Sequence, residues 1–289
     1  MRQVCFLSMD DLGSYVADDD LTIGPLDDLG WEVTTLSWRQ TSVDWDDFEA
    51  VIIRTPWDYQ KYPDEFLQVL GEIDRSAARL ENPLDIVRWN LDKRYLREME
   101  QRGARIVPTI WDAAYYEAEF ESWTNAFGGG ELIVKPTVSA TAEHTYRLSS
   151  YDASIENVFA DRPFMVQPFM PNIVAEGEYS LFYFNGEYSH AINKSPKTAD
   201  FRVQEEHGGV ITEVEPAKDL LAAAGKTLAM IGRNLLYVRI DFVRDEADNF
   251  ALMELELIEP ALYLRMNSGA PQRFASAIDK RISLAVSHV

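Results

Sequence analysis

One cysteine and four histidines are all that 289 residues provide. The lone Cys5 cannot form an internal disulfide and suits a reducing cytoplasm. The histidines show no ligand-like spacing, which argues against a zinc site. No run approaches the ~18–20 apolar residues of a membrane span, and the apolar stretch at the N-terminus is too short for a signal peptide. No Gly-x-x-x-x-Gly-Lys-Ser/Thr occurs, which excludes a P-loop, and no Gly-x-Gly-x-x-Gly follows the first hydrophobic run, which argues against dinucleotide binding. Positive charge is scarce. Twenty-seven basic residues against 48 acidic ones give a net charge of −21, which disfavours nucleic acid and anionic membrane as partners. There is no internal repeat and no low-complexity segment.

What is present is a folding chain, with 46% hydrophobic and 12% aromatic residues. Its length allows one large domain or two to three small ones. The first third reads as α/β: short buried strands at Val4 to Met9, Glu32 to Leu36 and Ala50 to Ile53, and a helix opened by Pro63 with acids in its first turn. Asn82-Pro83 breaks this pattern, and Asp92 to Gly103 reads as a helix. Ile106 to Pro108 is expected to open a second unit, followed by a helix, the strand Leu132 to Pro136, Thr145 to Leu148, a helix from Asp152 and the strand Phe164 to Gln167. Antiparallel strands follow at Glu178 to Asn185, Gly186 to Asn193 and Gly209 to Val214, with Asn185-Gly186 a hairpin turn. A helix from Ala217 to about Asn234 precedes the last hairpin.

That hairpin, Arg239 to Val243 and Leu252 to Pro260, carries acids at alternate positions. Glu254 and Glu256 share a face, Asp241 can sit opposite Glu254, and Met253, Leu255 and Leu257 are expected on the other face. Three carboxylates on one face repel unless protons or a hard cation offset the charge, and Mg²⁺ typically takes carboxylates together with substrate phosphates. An ordinary solvent-facing strand edge has the same pattern. Lys135 and Lys194 end apolar strands, Lys93 begins a helix against its dipole, and Arg202 sits in a loop before Gly208-Gly209. Singly each reads as a solvated element end; together with the acids they resemble the parts of a Mg–nucleotide site.

The order of motifs resembles the ATP-grasp superfamily over about residues 82 to 264. It is most similar to the glutathione synthetase-like branch, and within it to the cyclo-ligases that close O-ureido-serine to cycloserine. Arg54-Thr55-Pro56-Trp57, the run from Val87 to Leu96, Val134-Lys135-Pro136-Thr137, Gln167-Pro168-Phe169, the run from Tyr188 to Lys194, and the run from Leu255 to Pro260 carry the similarity as an ordered set. The resemblance implies an α/β fold, α+β in its C-terminal part. A pre-ATP-grasp parallel sheet would occupy residues 1–105, a lid subdomain 106–167, and a subdomain with the metal site 168–289. It implies that Lys93 and Lys135 contact ATP phosphates, and that Gln167, Phe169 and Met170 form the strand that reads adenine. Glu178 would hold the ribose, Lys194 and Arg202 would neutralise the transferred phosphoryl group, and Asp241, Glu254 and Glu256 would carry two Mg²⁺ ions. Two positions depart from the pattern. Glu256 stands where the branch usually has Asn, and residues 137–144 contain no glycine where the lid is normally glycine-rich, so that either the Ser139 and Thr141 hydroxyls substitute for backbone contacts to phosphate or the loop is a less mobile cover.

The activity implied is an ADP-forming, C–N bond-forming ligase using ATP as co-substrate and acting through an acyl phosphate on a small amino-acid-like molecule. Amide formation and ring closure are both open, and a homodimer is compatible with the family. Arg54, Trp57 and Asp58 follow a strand of the first sheet, where α/β domains place ligand contacts; Arg54 suits a carboxylate and Asp58 an ammonium. The alternative there is an Arg54–Asp58 surface pair. Glu259, Tyr263 and Arg265 follow the metal strand and are candidates for the same pocket, whereas His190 and His207 read as structural histidines. Two other functions use parts of the same residues: a nucleotide-binding regulatory protein without turnover, and a metal-dependent hydrolase relying on the carboxylates alone.

Overall fold

The computed structural model describes residues 1–139, 142–198 and 200–286. The chain opens on β1 (Arg2–Ser8), α1 (Ile23–Asp28), β2 (Trp31–Ser37), β3 (Ala50–Thr55), α2 (Pro63–Arg75) and β4 (Arg79–Glu81). These strands form a parallel sheet in the order β2-β1-β3-β4. Every residue of β3 is buried, as expected of a central strand covered on both faces. Two short helices, α3 (Leu84–Asn90) and α4 (Tyr95–Gln101), come next. The helix expected from Asp92 begins at Tyr95, so Lys93 lies in the turn between α3 and α4. Its backbone N–H donates to the Thr137 carbonyl at 2.8 Å.

A second, antiparallel sheet is ordered β5-β8-β6-β7, from β5 (Ile110–Trp111), β6 (Leu132–Pro136), β7 (Tyr146–Leu148) and β8 (Phe164–Pro168). α5 (Glu117–Ala126) and α6 (Glu156–Phe159) lie between its strands in sequence, and an aromatic core of Phe120, Trp123, Phe159 and Phe164 fills the unit. The segment expected to open this unit does not join its sheet. Ile106 bridges Leu252 in the third sheet, and Val107 N–H donates to the Leu252 carbonyl.

After α7 (Asn172–Ala175) comes the third sheet, ordered β11-β10-β9-β12-β13 and antiparallel. It comprises β9 (Glu178–Phe184), β10 (Glu187–Ser195), β11 (Val210–Glu213), β12 (Tyr237–Arg244) and β13 (Phe250–Glu256), with α8 (Lys218–Ile231) and a terminal α9 (Ala270–Val286). Asn185 and Gly186 have φ of 50° and 80°, the left-handed pair that a tight hairpin between β9 and β10 requires. α9 supplies Phe274, Ile278 and Ile282 to a core shared with Phe6 and Ile52 of the first sheet and Phe182 and Phe184 of the third. Polar clamps reinforce this junction. Asn82 donates to the Tyr237 and Leu257 carbonyls at 2.9 and 2.8 Å, and the Tyr237 hydroxyl reaches the Ile53 and Ile258 carbonyls at 2.9 and 2.8 Å. Buried polar groups placed this way set one geometry between the sheets, because any other leaves them unpaired.

Candidate active site

β12 and β13 pair with Asp241 opposite Glu254, as the alternation of acids predicts. A bulge then shifts the register, so that Phe242 faces Leu252 and Met253 is the extra residue. Met253 is therefore not on the core face with Leu255. It lines the main cavity and packs with Val107, Met170 and Ile173.

This cavity, about 210 Å³, is walled by the second and third sheets and by Tyr15, Trp57 and Tyr59, which lie outside the strands of the first. Its apolar end holds Val107, Ile133, Phe169, Met170, Ile173 and Met253; Phe169 meets Phe201 edge-on at 6.3 Å. Gln167 leads into this end, its amide donating to the Thr109 hydroxyl at 3.0 Å. The other end is charged, with Lys93, Lys135, Lys194, Arg202 and Arg239 facing Glu178, Glu254, Glu256 and Glu259.

The pairing of these charges was not legible in the chain. Lys93 lies 3.1 Å from Glu254 and donates to the Ser139 carbonyl at 2.6 Å. Burial works against the Glu254 carboxylate, but Lys93 and Lys135 together hold its pKa below the usual carboxylate range. Lys194 ion-pairs with Glu178 and lies 3.3 Å from Asp241. Glu178, expected at a ribose, thus spends its carboxylate on Lys194. Although burial alone would depress Lys194, Asp241 and Glu178 keep it above its ordinary value. Arg239 is the residue that sequence reasoning missed. Its guanidinium contacts Asp241 at 2.9 Å and also Glu256, and so bridges the two strands of the acidic hairpin. The period-two rule that paired Glu254 with Glu256 also puts Arg239 and Asp241 on one face, which was the available signal.

Asp241 is 2% exposed and sits behind Lys194 and Arg239 rather than on the cavity wall. Those two cations keep its carboxyl ionised in spite of burial. Burial pushes Glu256 up to about 8, with Arg239 opposing. Among the described residues no three acidic or histidine side chains converge on a single point as a metal cage. Glu254 and Glu256 nevertheless present oxygen donors to the cavity side by side, and one or two carboxylates beside substrate phosphates is the donor set Mg²⁺ favours. The residues fit that ion. Lys135 differs from its neighbours: burial lowers its pKa, and its ammonium has no ion pair among the described residues.

Several expected residues lie elsewhere or are otherwise engaged. Arg54 is 1% exposed; it pairs with Asp19 at 2.6 Å, donates to the Pro260 carbonyl at 3.0 Å, and lies outside the cavity. It is a structural strut between the first sheet and the segment after β13, buried away from the cavity in which a substrate would sit. It does not pair with Asp58 either. Asp58 accepts from the Trp38 indole at 2.8 Å, pairs with Arg39 at 3.1 Å and does not line the main cavity. Trp57, Glu259 and Tyr263 do line the cavity. Arg265 instead pairs with Asp18 and Glu205 outside it. Arg202 is held by Asp200 at 2.9 Å and faces both the main cavity and an adjoining one that holds Asp58 and His207. His190 stacks on Phe182 and contacts the Leu262 carbonyl, as a structural histidine would. Of the loop residues expected to meet phosphate, Ser139 lines the cavity, whereas Thr141 lies outside the described residues. No helix among the described residues is long and apolar enough to cross a membrane.

Comparison with known proteins agrees with this geometry. Residues 4–82 match the family of the N-terminal domain of D-cycloserine synthetase DcsG. The cycloserine biosynthesis protein DcsG of Streptomyces lavendulae is 30% identical over 277 residues, covering 88% of this chain and 90% of the relative. A crystal structure of D-cycloserine synthetase DcsG superposes with a TM-score of 0.83 at 26% identity, over 97% of this chain and 99% of the other. The ATP-grasp ligase PsnB, complexed with a minimal precursor, Mg and ADP, shares the fold at a TM-score of 0.64 and 13% identity, over 97% and 98% of the two chains. With near-complete coverage in both sequence and structure, the chain belongs to the DcsG family and has the ATP-grasp fold.

Proposed function

We propose that this protein is an ATP-dependent ligase that activates the carboxylate of a small amino-acid-like substrate as an acyl phosphate and closes it onto a nitrogen of the same molecule. One observation carries the reading: half-buried Lys135, without an ion pair among the described residues, lines the same cavity as Glu254 and Glu256. An anion belongs beside the lysine and a cation beside the acids, which is the charge pattern of a metal–polyphosphate ligand. The relatedness to DcsG supports ring closure over joining of two molecules.

In this reading the apolar end with Gln167, Phe169 and Met170 takes the adenine, and Lys93 and Lys135 hold the phosphates. The substrate carboxylate oxygen attacks the γ-phosphorus while the bond to the bridging β–γ oxygen breaks, releasing ADP. Lys194, Arg202 and Arg239 neutralise charge on the phosphoryl group in flight; preorganised donors of this kind are worth about 3–4 kcal/mol each. The substrate nitrogen then attacks the acyl carbon, the carbon–oxygen bond to phosphate breaks, and the nitrogen's proton passes to solvent. Mg²⁺ held by Glu254 and Glu256, with Asp241 behind them, would polarise the phosphate oxygens. Asp241 keeps Lys194 and Arg239 charged and aimed. No protein nucleophile is required, consistent with the buried Cys5, which does not line the cavity.

The test is ADP release from MgATP with O-ureidoserine and no added amine, followed by product mass. A cyclised product supports the proposal. ADP release only when a second amine is supplied would replace ring closure with intermolecular ligation. Tight MgATP binding without phosphate release across amino acids would leave the regulatory reading. Activity that survives Lys135→Ala but not Glu254→Ala would point to a hydrolase.

A further inference from the structure

Three of the carboxylates that line the cavity have cationic partners, whereas Glu206 and Glu259 have no ion pair among the described residues. Glu254 is paired with Lys93, Glu256 with Arg239 and Glu178 with Lys194. Glu259 lines the same cavity and makes no ion pair among the described residues; the nearby Tyr59 hydroxyl favours its ionised form. Burial pushes this carboxyl up to about 7, while Tyr59 and Lys93 pull it down. A carboxylate out of water without a counter-charge is costly, and a cationic ligand group would supply that charge.

The surroundings of Glu259 narrow the kind of cation. Trp57 and Tyr59 are 8% and 6% exposed, and Tyr15 meets Trp57 edge-on at 5.4 Å. All three line the cavity with Glu259. Aromatic faces attract ammonium groups, most strongly where water is excluded. The Trp57 indole donates to the Glu259 carbonyl at 2.9 Å, which ties the loop after β3 to the segment after β13 and fixes the position of the carboxylate. A hydrated metal ion would require several oxygen ligands, whereas this corner supplies one carboxylate and aromatic rings.

We propose that Glu259, seated against Tyr15, Trp57 and Tyr59, is a subsite for the ammonium group of the substrate, so that the enzyme recognises a zwitterionic amino acid rather than any small carboxylic acid. The proposal rests on the ligase reading above for the position of the substrate carboxylate, which lies toward Lys194, Arg202 and Arg239. An acid without the amino group, or with it acylated, would cover Glu259 without pairing it, and rejection of such analogues is steep for that reason.

Calorimetric titration of the MgADP-loaded protein tests this with three amino-acid probes, O-ureidoserine, serine and cycloserine, and with 3-(ureidooxy)propionic acid, which is O-ureidoserine without its amino group. The wild type should bind O-ureidoserine at least about tenfold more tightly than the desamino acid. Glu259→Gln should erase that preference by weakening the amino acid, while the desamino acid stays within about twofold and MgADP affinity is unchanged. Tyr59→Phe, which keeps the ring and removes the hydroxyl, is the second variant and should lose about threefold of the preference. The subsite is overturned if the wild type shows no preference, if Glu259→Gln weakens both acids equally, or if none of the amino-acid probes binds. ADP release measured alongside separates the two claims. Selective binding without ADP release removes the ligase and keeps the subsite; equal ADP release from both acids keeps the ligase and removes the subsite.

Discussion

Replacing His190 with glutamine should make the protein less sensitive to acid. His190 in β10 is 2% exposed and stacks on the Phe182 ring at 4.3 Å with an interplanar angle of 7°. Its ring nitrogens reach the Ser189 hydroxyl and the Leu262 carbonyl, each at 2.9 Å. Burial lowers its pKa to about 4, although the Leu262 carbonyl favours the protonated form. In the unfolded chain the same ring titrates near the ordinary value of 6.5. Between those values the unfolded state binds the extra proton, so stability is complete above pH ~6.5 and is lost as the pH falls toward about 4. The two values give a loss of about 2 kcal/mol at pH ~5 and about 3 kcal/mol near pH ~4. Glu256 and Glu259, raised to about 8 and about 7, act in the opposite direction over part of the window, so the wild-type curve alone mixes the contributions. Subtracting the curve of His190→Gln isolates the histidine. Glutamine retains an amide to donate to Leu262, and the lost ring contact costs about 1–2 kcal/mol at pH ~8. Urea unfolding from pH ~8 to ~5 at fixed ionic strength should show that gap closing as the acid penalty of the wild type grows. Parallel curves would refute the argument, as would a native His190 titrating near its ordinary value by NMR.

Three further outcomes follow from the same geometry. Arg54→Met should cost about 3–5 kcal/mol by leaving Asp19 unpaired in a buried setting, with the melting temperature falling and the substrate KM unchanged at permissive temperature; a raised KM at unchanged Tm would restore Arg54 to the substrate site. Lys135→Met should lower kcat/KM for MgATP by about 100-fold or more while leaving the melting temperature equal or higher, since burial already works against the ammonium; unchanged MgATP kinetics would refute the phosphate role. A methyl group at Gly209 would lie 2.0 Å from the Val203 carbonyl oxygen, so Gly209→Ala must displace the loop that carries Arg202. Its kcat should fall about tenfold with MgADP affinity intact, and an unaltered kcat would show that Arg202 does not depend on that loop.

Much of the charged end of the cavity was legible because it follows from local periodicity. Alternation along β12 and β13 put Asp241, Glu254 and Glu256 on one face, and an apolar strand ending in lysine put Lys135 at the mouth of a sheet. What failed depended on partners distant in the chain. Arg54 and Asp58 looked like neighbours, yet their ion-pair partners are Asp19 and Arg39. The bulge that turns Met253 into the cavity comes from the pairing of two strands, and neither strand signals it alone. The role of Arg239 as the bridge between Asp241 and Glu256 depends on their side chains meeting across the sheet, which neither strand signals alone.

By itself, then, the sequence determined the set of charged groups, the strands that bear them and the face each acid occupies, because these depend on side-chain direction along a single strand. Only the tertiary structure decided which charge answers which: Lys93 with Glu254, Lys194 with Glu178 and Asp241, Arg239 with Glu256, and Glu259 and Lys135 with none among the described residues. Electrostatic interaction falls with distance in space and rises as water is excluded, and neither distance nor exclusion is a property of a residue's place in the chain.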